Sequence, residues 1–298
     1  MNEQELIQSV IGKLVAQGVI KGGGNTGVVA SSAPACSRVA EGCDLDPVTL
    51  SPIDEVKVDN PKNMAALEAM RKSTPARIFM GRCGARQRTH SFLHFQADHA
   101  AAVDAVFLDV SGKCLEENGL FDVQTVVRDK DEYLMNPERG KQISDESQKT
   151  LLEKCTRGVQ VQIIVVDGLS STAIEANIAD TVPALVQGLK AEGIGVGAPF
   201  FIRYGRVGVM DEVGELLNPD VVVELIGERP GLITAESMSA YMVYKPHRGT
   251  MEADRTIISN IHKGGTPPAE AGAHMATVVK QMMDFKASGV ALSKAMKG

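Results

Sequence analysis

Near the amino terminus the apolar residues follow a helical period. Within residues 2–17 they recur at intervals of three and four positions, opposite a polar side, and they are Leu6, Ile7, Val10, Ile11, Leu14 and Val15. The segment that follows is dense in Gly, Ser and Ala and shows no period, which is typical of a flexible linker. We therefore predict an amphipathic docking helix over residues 1–20 and a linker over residues 21–60.

From residue 61 onward, apolar strands alternate with helical segments. Strands are predicted at residues 159–166, 198–205, 220–227 and 240–244. Helices are predicted around and after them, at residues 65–70, 89–106, from after Gly168 to about residue 190, 209–217 and 267–288, the last with Pro267 near its first turn. Near-continuous apolar strands separated by helices are typical of a parallel sheet covered on both faces. The predicted fold class of residues 61–298 is α/β, a Rossmann-like, doubly wound, mostly parallel sheet with a helical part at its amino-terminal end.

The segment between the first two predicted helices is less regular. Residues 76–81 resemble a short strand that enters a glycine turn, and Thr89 is placed to cap the helix that follows. The apolar positions of that helix form a broken stripe, made of Phe92, Phe95, Val103 and Val106.

Histidines and an aspartate also recur on that helix. His90, His94 and Asp98 are spaced one turn apart, as in some metal sites. No second ligand motif accompanies them, so we interpret them as a polar helix face and expect no metal centre.

Composition narrows the class of protein. The 298 residues include 31 Lys and Arg against 37 Asp and Glu, a net charge of -6, which disfavours a dedicated nucleic-acid binder. Apolar runs stop well short of the roughly 20 residues that a membrane span needs, and the amino terminus lacks the pattern of a signal peptide. The five cysteines are scattered, with no C-x-x-C pair. We expect an intracellular protein with reduced thiols and no membrane partner.

Candidate binding residues lie just after the predicted strands, where ligands bind in open α/β sheets. Three such segments carry glycine together with charged side chains, at residues 167–170, 204–208 and 227–231. Each could equally be an ordinary turn. A G-x-G-x-x-G fingerprint between strand and helix is missing, and so are a nucleophile elbow and a P-loop. We therefore predict a binding site here and no catalytic residue.

Long motifs resemble those of the ethanolamine ammonia-lyase small (light) subunit. They are ARIFMGRCGARQRTHSFLHFQADHA, VVDGLSSTAI, VVVELIGERPGLITAESMSAYMVY and EADRTIISNIHKGGTPPAEA, and the resemblance spans roughly residues 75–290. It implies a lyase built with a separate large subunit, a TIM barrel that holds the substrate. It also implies adenosylcobalamin between the two subunits and a radical conversion of ethanolamine to acetaldehyde and ammonia.

The resemblance carries over three cofactor contacts. They fall on Val207 in RYGRVGVM, on Glu228 in LIGERPG, and on Ile257 after DRT, where family members can have cysteine. A contact that requires sulfur is therefore in doubt at Ile257, whereas an apolar or backbone contact is not. The D-x-H-x-x-G signature of proteins that place a histidine on cobalt is missing, so we expect base-on cobalamin.

The resemblance also bears on location. Ethanolamine breakdown in this family is associated with bacterial microcompartments in the cytoplasm, and residues 2–17 resemble a peptide that docks on shell or cargo. Two other functions stay open at this point. One is a self-sufficient Rossmann enzyme acting on a nucleotide or phosphometabolite, and the other is a non-catalytic scaffold or cargo adaptor.

Overall fold

A computed structural model describes residues 56–74 and 76–297. The predicted docking helix over 1–20, and all of the predicted linker except residues 56–60, lie outside the described residues. Within them, the strands are β1 (Arg82–Cys83), β2 (Arg86–Gln87), β3 (Phe121–Gln124), β4 (Val161–Val166), β5 (Phe200–Arg203), β6 (Val221–Gly227), β7 (Met238–Tyr244) and β8 (Thr256–Ile261).

The α-helices of the described residues number nine. They are α1 (Met64–Lys72), α2 (Thr89–Phe107), α3 (Gly112–Glu117), α4 (Lys130–Met135), α5 (Asp145–Lys154), α6 (Ser171–Ala191), α7 (Val209–Leu217), α8 (Pro268–Phe285) and α9 (Gly289–Ala295). Short 3₁₀ helices span Pro137–Lys141 and Glu252–Asp254.

The main sheet has six strands in the order β3-β5-β4-β6-β7-β8. The first four are mutually parallel, β7 runs antiparallel to β6, and β8 runs antiparallel to β7. Every residue of β4 and β6 is buried, because helices cover both faces of these central strands. Helices α6 and α8 cover one face, and α5 and α7 cover the other. The prediction of a mixed α/β fold with a mostly parallel sheet is confirmed.

Two glycines bring α6 and α8 into close contact. A Cβ on Gly188 of α6 would lie 2.6 Å from the Cβ of Ala276, and one on Gly272 of α8 would lie 2.6 Å from the Thr181 carbonyl oxygen.

Both helices begin at residues that favour the start of a helix. Ser170 accepts a hydrogen bond from the Ala173 N–H at 3.2 Å, and Pro268 occupies the first position of α8. The interhelical contact covers the sheet face against which both helices pack.

The strand predicted at residues 76–81 is wrong. The backbone there is irregular, and Phe79 and Gly81 have positive φ values of 59° and 73°, which interrupt an extended conformation. The Phe79 carbonyl accepts a hydrogen bond from the Lys57 N–H at 2.8 Å. The extended backbone begins instead at the short hairpin of β1 and β2, and Arg88 rather than Thr89 occupies the capping position of α2.

The apolar stripe predicted on α2 exists but does not face the core. Phe92, Phe95 and Val103 are exposed, whereas the buried residues of this helix are Ser91, His94 and Ala105. Helices α3, α4, α5 and α9 and strands β1, β2, β3 and β8 were not predicted, because short elements leave little periodic signal.

Glu224 lies fully buried in the middle of β6, between Ile164 of β4 and Tyr241 of β7. Neither of its carboxyl oxygens has a hydrogen-bond partner among the described residues. Burial raises the pKa of Glu224 well above its ordinary value, although the charge of Arg255 partly opposes the effect. Glu224 therefore keeps its proton at pH values where an exposed glutamate has lost it.

We expect Glu224→Gln to change how stability depends on pH. The unfolded glutamate ionises near pH 4.5 while the native one stays protonated. Above that pH the wild-type chain therefore loses up to about 1.4 kcal/mol of unfolding free energy per pH unit, until the native group also ionises. The glutamine variant lacks this loss, so its stability relative to wild type in urea unfolding should increase as the pH rises above about 5. Parallel stability curves for variant and wild type would contradict the assignment, and the exposed Glu153→Gln is the control.

Candidate functional site

The turn after β4 and the end of β6 touch at the carboxyl edge of the sheet. The Leu169 N–H donates to the Gly227 carbonyl at 3.1 Å. A Cβ on Gly168, whose φ is 59°, would lie 2.3 Å from the Gly227 carbonyl oxygen, and one on Gly227 would lie 2.2 Å from the Ser170 carbonyl oxygen. Only glycine leaves room for backbone this close. Two of the three strand-end segments predicted from the sequence are therefore in direct contact.

A buried carboxylate ties the third segment to them. Asp167, at the end of β4, accepts hydrogen bonds from the N–H groups of Tyr204 at 2.9 Å and Gly205 at 3.2 Å. The Nζ of Lys130 lies 3.6 Å from the same carboxylate. Complete burial raises the pKa of Asp167 above its ordinary value, and Lys130 and the backbone donors oppose that rise. This network holds the turn after β5 against the turn after β4.

Tyr133 of α4 secures the same turn from the other side. Its hydroxyl donates to the Gly205 carbonyl at 2.8 Å, and the Arg206 guanidinium lies 4.0 Å from the centre of its ring. Arg206 also donates to the Tyr133 carbonyl at 2.9 Å. The backbone on both sides of Arg206 is thus held in place, and Val207 follows directly.

These contacts surround a cleft of about 350 Å³ at the carboxyl ends of the strands. It is lined by Tyr133, Gly168, Leu169, Arg206, Val207, Ile226, Gly227, Glu228, Arg229, Ser239, Tyr241 and Ser259. All three strand-end segments contribute to it, and so do β7 and β8. The structure therefore brings Val207 and Glu228 to one cleft, as the sequence predicts for a shared binding site.

Three hydrogen bonds hold the side chain of Glu228 in the cleft. Its carboxylate accepts hydrogen bonds from the hydroxyls of Ser239 at 2.6 Å and Ser237 at 2.8 Å, and from the Asn260 N–H at 2.9 Å. Burial acts to raise the pKa of Glu228, but these donors outweigh it and lower the pKa below the ordinary value. Glu228 is therefore an ionised acceptor in a fixed orientation, and it pairs with serines rather than with Arg229.

Ile257 lies beside the cleft on the edge strand β8. It is 47% exposed and stands opposite Tyr241 of β7, which lines the cleft. Ser259, two residues further on, lines the cleft too, and its hydroxyl lies 3.0 Å from that of Ser239. Ile257 itself is not among the lining residues, so its contact with a cofactor stays a prediction.

Several residues of the cleft were not predicted from the sequence. Ser239 and Tyr241 stand two positions apart on β7, which is the signal that they share a face of one strand. Ser237, just before β7, contacts Glu228 but does not line the cleft. Lys130 and Tyr133 lie in a polar stretch without a period, and only the folded chain brings them to Asp167 and Gly205.

The histidines of α2 belong to another region. The His94 Nδ1 is 4.0 Å from the Asp98 carboxylate, which forms an ion pair with Arg77 at 2.6 Å. Within residues 56–74 and 76–297, no three His, Cys, Asp or Glu side chains are grouped so that they could hold a metal ion. In the same part of the chain, no helix combines the length and the apolarity required to cross a lipid bilayer.

A family model described as ethanolamine ammonia-lyase light chain (EutC) matches residues 64–293. The chain belongs to this family. The match includes all three strand-end segments and the cleft that they form, and it confirms the resemblance carried by the motifs.

Three relatives are similar in sequence to this chain over 79% to 98% of its length. The ethanolamine ammonia-lyase small subunit of Clostridioides difficile (strain 630) is 47% identical over 295 residues, covering 98% of this chain and 100% of the relative. That of Fusobacterium nucleatum is 46% identical over 290 residues, covering 97% and 98%. The small subunit of Clostridium tetani is 53% identical over 235 residues, covering 79% and 80%.

We expect Gly227→Ala to destabilise the protein and deform the cleft. The new methyl group would meet two backbone oxygens, those of Ser170 and Asp167, which cannot move independently of their strands. The cost should be about 2–3 kcal/mol of unfolding free energy, measured by urea denaturation. Gly231→Ala is the matched control, because a Cβ there would meet only the Thr234 carbonyl oxygen, at 3.7 Å. Equal stability of the two variants would show that the close contact does not hold the turns together.

Proposed function

We propose that this chain is the small subunit of an adenosylcobalamin-dependent ethanolamine ammonia-lyase and that its Rossmann-like core, residues 61–298, holds the cofactor against a large catalytic subunit. The observation that carries the proposal is the convergence of Val207 and Glu228 on one strand-end cleft, in a chain of this family. When bound, adenosylcobalamin supplies the radical chemistry that converts ethanolamine to acetaldehyde and ammonia.

The residues of the cleft suit the edge of a corrinoid. Glu228 presents a carboxylate that three donors hold in place, and a carboxylate has acceptor capacity left for an amide N–H on the corrin rim. Val207 and Leu169 offer apolar surface beside it. Gly168 and Gly227 have no side chain, so a ligand could approach the backbone closely at these two positions.

The size of the cleft fits a shared site. A volume of about 350 Å³ accommodates a small organic group, whereas a corrinoid with its nucleotide tail is much larger. Most of the cofactor therefore lies against another surface, which we assign to the large subunit, a TIM barrel. The cleft also lacks a paired acid and base among the residues that line it, so this chain positions the cofactor while the partner binds and transforms the substrate.

The histidines of the chain support base-on binding. Within the described residues, no histidine lines the cleft. His262, close to the Asn260 whose N–H donates to Glu228, uses both ring nitrogens: Nε2 lies 2.9 Å from the Asn260 side-chain oxygen, and Nδ1 accepts from the Gly264 N–H at 3.1 Å. These contacts support the proposal that a bound cobalamin would be base-on and would keep its own dimethylbenzimidazole rather than take a histidine of this chain.

We also propose that residues 1–20 form a docking helix that directs the enzyme into a bacterial microcompartment in the cytoplasm, and that residues 21–60 link it to the core. Removing residues 1–20 should leave lyase activity unchanged and disperse the enzyme from isolated shells, because the cleft and the helix are separate in the sequence. Fluorescence of a tagged enzyme in cells that form shells would measure this. Retention of the shortened enzyme in shells would contradict the proposal.

We expect Glu228→Gln to weaken the complex with adenosylcobalamin by about 10- to 100-fold, the range for losing a hydrogen bond to a charged group. Glutamine keeps the size of the side chain but removes the charge that Ser237, Ser239 and Asn260 stabilise. Cofactor binding should be titrated in the purified two-subunit complex, with the exposed Glu153→Gln as the control. Equal affinity of variant and wild type for adenosylcobalamin would show that Glu228 does not contact the cofactor.

The decisive test of the function is co-expression with a candidate large subunit, followed by assays of complex formation and of acetaldehyde release that depends on adenosylcobalamin. Activity of the isolated chain would favour a self-sufficient enzyme instead. A complex that forms but does not bind the cofactor would favour a scaffold.

A further inference from the structure

Helix α2 exposes most of its large apolar residues and buries two polar ones. The side turned to the chain includes Ser91, whose hydroxyl donates to the Met80 carbonyl at 3.2 Å, and His94. The exposed residues include five large apolar side chains, those of Phe92, Leu93, Phe95, Val103 and Phe107, with the polar Gln96 and His99 among them. An amphipathic helix normally turns its apolar stripe to its own core. A clustered apolar surface of this kind is typical of a contact with another molecule.

The segment before α2 is strongly basic. Residues 71–88 contain six Lys and Arg and no Asp or Glu, although the whole chain has a net charge of -6. At the tip of this segment, the hairpin of β1 and β2 is exposed at every strand position and carries Arg82 and Arg86. A positive tip next to an apolar helix face fits a partner whose apolar groove has an acidic rim.

Arg77 connects this surface to the cleft. Its guanidinium forms an ion pair with Asp98 of α2 at 2.6 Å and donates to the Leu232 carbonyl at 2.5 Å. Leu232 and Ile233, in the loop after β6, are themselves exposed. A groove of about 490 Å³ is lined by both Arg77 and Glu228. The apolar face of α2 and the cofactor cleft therefore lie on neighbouring parts of the surface.

We propose that the exposed face of α2 and the β1–β2 hairpin form a docking surface for the large subunit, which meets it with an apolar groove rimmed by acidic side chains. This inference rests on the proposed function, because the subunit that closes over the cleft is the one that reaches α2. A second copy of this chain is a poorer occupant. In a two-fold dimer through this face the basic hairpin would occur twice within one interface, and the like charges would repel.

The test compares two pairs of matched variants of the full-length chain, each titrated against the large subunit by sedimentation or surface binding. Phe92→Ser removes an apolar contact from α2, and Phe285→Ser is its control, because the two side chains are 46% and 47% exposed on different helices. Arg86→Glu reverses a charge of the hairpin, and the exposed Arg157→Glu is its control. All four positions lie outside the cleft.

We expect Phe92→Ser to raise the Kd of the two-subunit complex at least about tenfold and Arg86→Glu to raise it several-fold, with controls within about twofold of wild type. Added salt should weaken the wild-type complex more than the Arg86→Glu complex, since exposed charges are screened. Circular dichroism of each variant checks that it folds.

The outcomes separate the two proposals. If the wild-type chain binds the large subunit and adenosylcobalamin while Phe92→Ser and Arg86→Glu bind the large subunit as tightly as their controls do, the docking surface is wrong and the proposed function stands. If Phe92→Ser instead changes only the self-association of this chain, the surface belongs to a second copy and the inference is overturned. If the wild-type chain forms no complex with the large subunit, the proposed function itself fails.

Discussion

The cleft at the carboxyl edge of the sheet depends on one backbone contact, in which the turn after β4 lies directly against the end of β6. Gly168 and Gly227 make the contact possible, since a Cβ on either would lie within 2.3 Å of a carbonyl oxygen of the other turn. With these two turns in contact, Asp167 is buried and its carboxylate reaches the N–H groups of the third turn. The position of Val207 follows from that arrangement.

Asp167, just after β4, and Glu224, on β6, show two ways in which the cost of burying an acidic side chain is offset. Asp167 has backbone donors and Lys130 within reach, so its polar contacts organise a loop. Glu224 has no such donors and is compensated by keeping its proton. Glu228, at the rim, combines partial exposure with three donors and stays ionised. Of the three, only Glu228 presents a stable negative charge to a ligand.

The described residues form a folded core with a buried sheet, but two parts of its surface suit contact with a further molecule. Its cleft is too small to enclose a corrinoid, and the face of α2 beside it is more apolar than the face that packs on the chain. Both features agree with the proposal that a large subunit completes the site, because each leaves uncovered a surface suited to contact with another molecule. Membership of a small-subunit family agrees with this reading.

The sequence by itself determined the central strands, the long helices and the family, and it indicated the strand ends that meet in the candidate cleft. Those features come from period, glycine placement and contiguous motifs, all of which are local in the chain. The tertiary structure decided which side of α2 is buried, that residues 76–81 form no strand, and that Tyr133, Ser239 and Ser259 line the cleft. A repeat of apolar positions shows that a helix has an apolar side, but not what that side contacts. Such contacts join residues far apart in the sequence, so only the folded chain and its partners define them.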